Sequence, residues 1–128
     1  MSKRILIADD EPHVIHIVKR ALEGDGYIVS TAPNGVVALG MFKAEPFDAL
    51  ISDIQMPQMD GLTLCAELQK TFPESNFLTI VMTSMTERDA RTVASKLRNT
   101  QFLEKPVSPR RLLVLLKQYF AEPAGAPA

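Results

Sequence analysis

The chain has 128 residues and a formal net charge of -1, with 46% hydrophobic and 23% charged residues. This length suits one domain with a real hydrophobic core, and the near-neutral charge argues against an electrostatic surface for nucleic acid or an anionic membrane. The single cysteine, Cys65, excludes an internal disulfide and a cysteine-based metal cage.

Five short apolar segments predict β-strands. They are rich in β-branched residues and bounded by turn signals, and the continuous apolar ones are typical of strands buried on both faces. In chain order the segments are RILIA (4–8), YIVSTA (27–32), DALIS (48–52), FLTIVMT (77–83) and QFLEK (101–105).

Helical periodicity lies between these strands and after the last one. The first pattern, PHVIHIVKRALEG, has Pro12 in its first turn and Gly24 at its end. The last pattern begins with Ser108 as N-cap and Pro109 after it, whereas the fourth, over 86–99, has only a thin apolar stripe. The predicted core-facing residues are Val14, Ile17, Val18, Ala21 and Leu22 in the first helix, Ala38, Leu39 and Phe42 in the second, Leu62, Cys65 and Leu68 in the third, and Leu112, Leu115, Leu116 and Tyr119 in the last.

The alternation of strand and helix predicts an α/β fold. Strands joined by helical crossovers are parallel, and right-handed crossovers that cover both faces give a doubly wound five-stranded sheet. We expect one domain over residues 1–121 and a Pro/Ala-rich tail, or the start of a linker, over 122–128. The sequence shows no signal-type leader and no apolar run near the roughly 20 residues that span a bilayer, so we expect a cytoplasmic location.

Polar residues collect where the predicted strands end, and this is where a doubly wound sheet binds its ligands. Asp9 and Asp10 follow the first strand, Asp53 follows the third, Thr83 ends the fourth and Lys105 ends the fifth. Each alone has an ordinary explanation as a helix cap, a turn former, a strand-edge residue or a solvated lysine. Three carboxylates brought together repel each other and lose water, so we expect a cation among them. Ligand oxygens without His or Cys favour Mg²⁺.

Together these strand ends resemble the receiver domain of bacterial two-component response regulators. The resemblance covers about residues 3–120 and implies a flavodoxin-like (βα)5 fold with strand order 2-1-3-4-5. The motifs that carry it are Asp9-Asp10, Asp53 in SDIQMPQMDG, Thr83-Ser84 and Lys105-Pro106, at intervals of 30 residues (53 to 83) and 22 residues (83 to 105).

The resemblance implies a role for each acid and for the lysine. Asp53 would be the phospho-acceptor, a carboxylate nucleophile that forms an acyl phosphate. Asp10 would bind Mg²⁺ directly, Asp9 would bind it through a water, and Asp53 with the main-chain carbonyl of Gln55 would complete the protein's share. Lys105 would pair with a phosphoryl oxygen, aimed inward by a cis peptide between it and Pro106.

The same resemblance implies a switch. Thr83 would turn its hydroxyl toward the phosphorylated Asp53, and the ring of Phe102 would move into the space left behind; a plain core phenylalanine is the alternative. Gln55 and Met85 occupy the positions that influence how fast the acyl phosphate hydrolyses in the family, and we expect autodephosphorylation of moderate speed.

Two features depart from the family. Arg98-Asn99 stands where a small Gly-Ala pair is usual before the fifth strand, and Val107 stands where an aromatic residue is common. They leave open the conformation of residues 85–100 and, with it, the output surface.

The last helix carries Arg110 and Arg111 in its first turn, where the helix macrodipole disfavours cations. Acidic partners across a homodimer interface would explain them, and Leu113 and Phe120 would suit such a contact. Surplus apolar surface explains the last two equally well.

The leading hypothesis is therefore a phospho-accepting receiver with Mg²⁺. Its partners would be a sensor histidine kinase or a histidine phosphotransfer protein, and a downstream protein or fused output module, without direct contact to nucleic acid or membrane. It would catalyse only its own phosphorylation and dephosphorylation. One alternative is a non-phosphorylated receiver-like interaction module. The other is an aspartyl-phosphate hydrolase of flavodoxin-like fold. Enzymes of the haloacid-dehalogenase type require an Asp at the position of Gln55, which disfavours this alternative.

Overall fold

The computed structural model describes residues 2–84, 92 and 97–121. Within them the chain forms five strands, each within one residue of its predicted bounds, and four helices. The strands are β1 (Arg4–Ala8), β2 (Ile28–Ala32), β3 (Ala49–Asp53), β4 (Leu78–Thr83) and β5 (Thr100–Glu104). The helices are α1 (Pro12–Gly24), α2 (Gly35–Ala44), α3 (Gly61–Thr71) and α4 (Pro109–Ala121).

The strands form one parallel sheet in the order β2-β1-β3-β4-β5, which confirms the predicted topology. All residues of β3 and β4 are buried, because helices cover both faces of these central strands. In the register, Asp53 lies beside Met82 and Thr83 beside Glu104. The carboxyl ends of β3, β4 and β5 therefore meet at one rim of the sheet.

Alternate residues along the strands fill two hydrophobic cores, one on each side of the sheet. The α1/α4 core contains Ile5, Ile7, Ile51, Ile80 and Met82 from the strands with Val18, Leu22, Leu112 and Leu116 from the helices. The α2/α3 core contains Leu6, Leu50 and Val81 with Ala38, Phe42, Leu64, Cys65 and Leu68. These cores hold the sheet rigid beneath its carboxyl rim.

Some sequence-based assignments to the core were wrong. Ile17 is 42% exposed although its spacing predicts burial, and Leu64 is fully buried although the predicted stripe contained Leu62 in its place. On the last helix, Leu113 and Phe120 pack against the α1/α4 core, and the Phe120 ring centroid lies 6.1 Å from that of Tyr27. The inward stripe of α4 is therefore wider than four residues.

Side chains cap the starts of α3 and α4, and Ser108 is the N-cap that the sequence predicts. The backbone N–H of Arg111 donates to Ser108 Oγ at 3.3 Å, and that of Thr63 donates to Asp60 Oδ1 at 2.7 Å. The predicted helix over 86–99 lies largely outside the described residues. Among the helices that the structure describes, none is long and apolar enough to cross a membrane.

Candidate functional site

Four acidic residues meet at the carboxyl rim of the sheet. Asp9, Asp10 and Glu11 follow β1, and Asp53 is the last residue of β3. One carboxylate oxygen of each lies within 4.8 Å of those of the other three. Asp9 is fully buried and Asp53 is 3% exposed, whereas Asp10 and Glu11 are exposed. The structure confirms that the predicted acids converge. Glu11, which follows Asp9 and Asp10 in the sequence, also belongs to the cluster although it was not predicted there.

Asp53 is held from several directions. Lys105 Nζ lies 2.9 Å from its Oδ1, and the backbone N–H of Gln55 donates to the same oxygen at 3.4 Å. Its main-chain carbonyl accepts a hydrogen bond from the Ser52 hydroxyl at 2.9 Å. A carboxylate fixed at the end of a buried strand, beside an ammonium, has the rigid support that a nucleophile requires.

The turn after Asp53 depends on the lack of a side chain at Gly61. A Cβ built there would lie 2.2 Å from the Asp53 carbonyl oxygen and 2.9 Å from Ser52 Oγ. The Gly61 N–H donates to the Ile54 carbonyl at 2.8 Å, which folds the start of α3 back against the strand end. Gly61 therefore fixes the path of the backbone that carries Asp53.

Asp9 is a buried acid in an electrostatically unfavourable position. Burial, with smaller contributions from the charges of Asp53 and Asp10, raises its pKa from 3.8 to about 6, although the hydrogen bond from Glu11 N–H and the charge of Lys105 act the other way. Its Oδ1 accepts that N–H at 2.9 Å, but its Oδ2 is buried with no hydrogen-bond partner among the described residues. An unpaired buried carboxylate oxygen inside an oxygen-only cluster fits a hard divalent cation.

Lys105 supplies the cation of the described rim. Burial alone would lower its pKa, but the hydrogen bond to Asp53 and the charges of Asp53, Asp9 and Glu11 outweigh burial and raise it. Its backbone N–H donates to the Thr83 carbonyl at 2.8 Å, which ties it to the end of β4. The peptide between Lys105 and Pro106 is cis, as expected.

The comparisons with known proteins agree with this geometry. The family model described as "Response regulator receiver domain" matches residues 5–117. The chain belongs to this family.

Relatives of this receiver domain occur alone and in longer chains. It is 33% identical over 115 residues to an uncharacterized 14.6 kDa protein of Leptolyngbya boryana, covering 90% of this chain and 88% of that protein. It is 34% identical over 117 residues to the response regulator MprA of Mycobacterium bovis, covering 91% of this chain but only 50% of MprA. The receiver domain thus spans about half the length of that relative.

A solved structure has the same fold. The CheY-like response regulator receiver domain protein of Methanospirillum hungatei superposes with a TM-score of 0.85 at 29% identity, covering 95% of this chain and 96% of that one. Receiver domains are signalling modules of two-component systems, and the sequence-based resemblance is confirmed.

The two residues expected to act as a switch lie on the neighbouring strands β4 and β5. Thr83, 5% exposed, ends β4. Phe102 lies in the middle of β5 beside Val81, and its half-buried ring packs against the α2/α3 core. Thr83 therefore lies at the rim itself, whereas Phe102 lies two residues before the end of β5.

The remaining residues of interest in the sequence lie outside the cluster of four acids or outside the described part of the chain. Arg110 and Arg111 are exposed, and so are the two histidines of the chain, His13 and His16. Cys65 is fully buried, and burial raises the pKa of its thiol to about 12, so it is a core residue. Met85 lies outside the described residues.

Proposed function

We propose that this receiver domain accepts a phosphoryl group on Asp53 from the phosphohistidine of a sensor histidine kinase or a histidine phosphotransfer protein. The observation that carries the proposal is the setting of the Asp53 carboxylate, 2.9 Å from the Lys105 ammonium and within a cluster of acids at a strand end. Membership of the receiver family supports it independently.

In the transfer, a carboxylate oxygen of Asp53 attacks the phosphorus atom. The bond between phosphorus and the donor imidazole breaks, and the imidazole leaves with the bonding electrons. Lys105 would then pair with a phosphoryl oxygen as a compact point charge, exchanging its present contact with Asp53 Oδ1 for one with the new group. Such a reaction needs positioning and charge stabilisation more than covalent chemistry from the protein.

Mg²⁺ is the proposed cofactor. Asp9, Asp10, Asp53 and the main-chain carbonyl of Gln55 would hold it, and the exposed Glu11 adds negative charge beside them. When bound, the ion neutralises charge on the transferring phosphoryl group. The unpaired Oδ2 of buried Asp9 supports the assignment, because a cation would satisfy it.

The phosphorylated state would be read through Thr83 and Phe102. Added negative charge at the rim attracts the Thr83 hydroxyl, and the half-buried Phe102 ring would turn inward as Thr83 moves. The change would alter a surface that binds a downstream protein or a fused output module. Gln55 and Met85 would influence the rate at which the acyl phosphate hydrolyses.

The proposal also covers the bounds of the domain, its catalytic activity and its location in the cell. The receiver domain would occupy residues 1–121, and the family match ends at residue 117. A tail or linker would occupy 122–128, which lie outside the described residues. The chain would catalyse only its own phosphorylation and dephosphorylation, in the cytoplasm. The free Cys65 suits that reducing compartment.

A homodimer through α4 stays part of the proposal. Exposed Arg110 and Arg111, with Val114 at 49% exposure, would form the contact. Leu113 and Phe120 contribute less than expected because they pack against the chain's own core.

Incubation with Mg²⁺ and acetyl phosphate, followed by intact-mass measurement, tests the central step. The chain should gain the mass of one phosphoryl group, Asp53→Asn should gain none, and Asp25→Asn, which changes an exposed acid away from the rim, should behave like the native chain. Equal phosphorylation of Asp53→Asn would refute the assignment of the acceptor.

A further inference from the structure

Arg98 lies two positions before β5, and the structure shows what it contacts. The side-chain amide of Gln69, on α3, pairs with the backbone of Arg98 in both directions. Gln69 Nε2 donates to the Arg98 carbonyl at 2.8 Å, and the Arg98 N–H donates to Gln69 Oε1 at 3.0 Å. One side chain thus acts as a strand-like partner for the residue two positions before β5.

The guanidinium of Arg98 makes a second set of contacts with the end of α3. It donates to the carbonyl of Pro73 and, at 3.3 Å, to that of Phe72. The Phe72 carbonyl also accepts the Ser75 N–H at 3.1 Å. Carbonyls at a helix C-terminus carry the negative end of the macrodipole, so a cation there is favourable. These contacts require a long side chain with several hydrogen-bond donors.

The residues that follow are tied to β4. The Asn99 carbonyl accepts the Thr79 N–H at 2.9 Å, and the Thr100 hydroxyl donates to the Arg98 carbonyl at 2.8 Å. Asn99 has a φ of 47°, in the left-handed region that asparagine tolerates better than most residues. Half-buried Leu97 packs against the α2/α3 core. The entry to β5 is therefore held by α3, by the turn after it and by β4.

We infer that Gln69 and Arg98 form a latch that fixes the amino end of β5 to α3, so that a change at the carboxyl rim is confined to the carboxyl-terminal half of β5. The strand has five residues with Phe102 at its centre and the pocket lysine just beyond its end. With its start fixed, the strand cannot slide as a unit, and a response must take place by local rearrangement around Phe102. The confinement rests on the proposed phosphorylation, whereas the latch itself does not.

Amide hydrogen exchange measured by NMR tests the latch in the unphosphorylated chain. Gln69→Ala removes the acceptor of the Arg98 N–H, so exchange of that amide should accelerate about tenfold. Gln69→Glu keeps the acceptor but loses the donor, so the Arg98 amide should stay close to its native rate. Glu74→Ala, which changes an exposed neighbour of Pro73, should alter nothing. An unchanged Arg98 amide in Gln69→Ala would overturn the latch.

The same measurement after treatment with Mg²⁺ and acetyl phosphate tests the confinement. In the native chain, exchange should change at Leu103 and Glu104 but not at Thr100 and Gln101. In Gln69→Ala and Arg98→Ala, the change should extend to Thr100 and Gln101. Change at Thr100 already in the native chain, or the same confinement in both variants, would overturn the inference. If intact mass shows no phosphorylation, the proposed function fails, and the exchange of unphosphorylated Gln69→Ala still decides the latch.

Discussion

The two ends of the sheet carry polar groups under opposite conditions. At the carboxyl end, Asp9 and Asp53 are buried, and one Asp9 oxygen has no described hydrogen-bond partner. At the amino end, the ion pair of Arg4 with Glu45 lies at the surface, with the two side chains 33% and 59% exposed. Burying like charges together costs folding free energy, whereas an exposed ion pair costs and contributes little. The carboxyl end therefore carries a folding cost that the amino end does not, which is the pattern expected of a binding site.

The largest effect expected from this contrast is a pH dependence due to Asp9. Burial raises its pKa from 3.8 to about 6 in the metal-free fold, while the unfolded chain keeps the ordinary value. Asp9 therefore favours folding below about pH 4, and this contribution is lost as the pH rises through about 6. A shift of this size corresponds to about 3 kcal/mol in the free energy of unfolding.

Urea unfolding in EDTA, for the native chain and Asp9→Asn, measures this contribution. The stability of the variant relative to the native chain should increase by about 3 kcal/mol between pH 4 and pH 7. Mg²⁺ should stabilise the native chain above pH 6 and have a smaller effect on the variant. A stability difference that does not change with pH would contradict the assigned cost of burying Asp9.

A matched pair of glycines sharpens the comparison between the rim and the surface. In Gly61→Ala the new Cβ would lie 2.2 Å from the Asp53 carbonyl oxygen, whereas at Gly40, within α2, it would meet no atom within 4 Å. We expect Gly61→Ala to lose about 2 kcal/mol of stability and to be phosphorylated up to about 100-fold more slowly, since Asp53 is displaced. Gly40→Ala should gain about 0.5 to 1 kcal/mol. Urea midpoints and the rate of mass gain with acetyl phosphate check both, and equal behaviour of the two variants would argue against a special role for Gly61.

The two ends of the sheet can be compared directly by breaking one ion pair at each end. In Mg²⁺-free buffer, Lys105→Met leaves the nearly buried Asp53 carboxylate without its ammonium and should cost about 2 kcal/mol, a value lowered by the partial exposure of the lysine. Arg4→Met should cost less than about 1 kcal/mol. Mg²⁺ should restore part of the loss in the first variant only. Equal losses measured by urea unfolding would remove the distinction between the two ends.

The sequence predicted the carboxyl end better than the amino end, for a physical reason. Buried parallel strands are continuous apolar runs, and their carboxyl ends meet at one rim. The polar residues that follow successive runs, such as Asp9, Asp53 and Lys105, therefore lie at one rim of such a sheet. Which of them are neighbours depends on the strand order, which the family resemblance implied.

Contacts away from the rim have no such pattern. Nothing in the spacing of Gln69 and Arg98, 29 positions apart, indicates that they pair. From the sequence alone, Gly61 is an ordinary turn glycine. The structure shows that a side chain there would collide with the Asp53 carbonyl. The helical period also failed at Ile17, because the sheet covers a narrower face of α1 than the apolar residues span.

The smallest expected effect comes from a buried polar group that serves neither end. Thr79 lies within β4 with no exposed surface, and its hydroxyl has no hydrogen-bond partner among the described residues. Thr79→Val replaces that hydroxyl with a methyl group and should raise the free energy of unfolding by about 1 kcal/mol, seen as a higher urea midpoint with an unchanged slope. Its neighbour in the register, Thr100, donates its hydroxyl to the Arg98 carbonyl, so Thr100→Val should instead lose stability. If Thr79→Val also loses stability, the Thr79 hydroxyl has a partner such as a buried water. The carboxyl rim would then be the part of the described sheet where an unpaired polar group lowers stability.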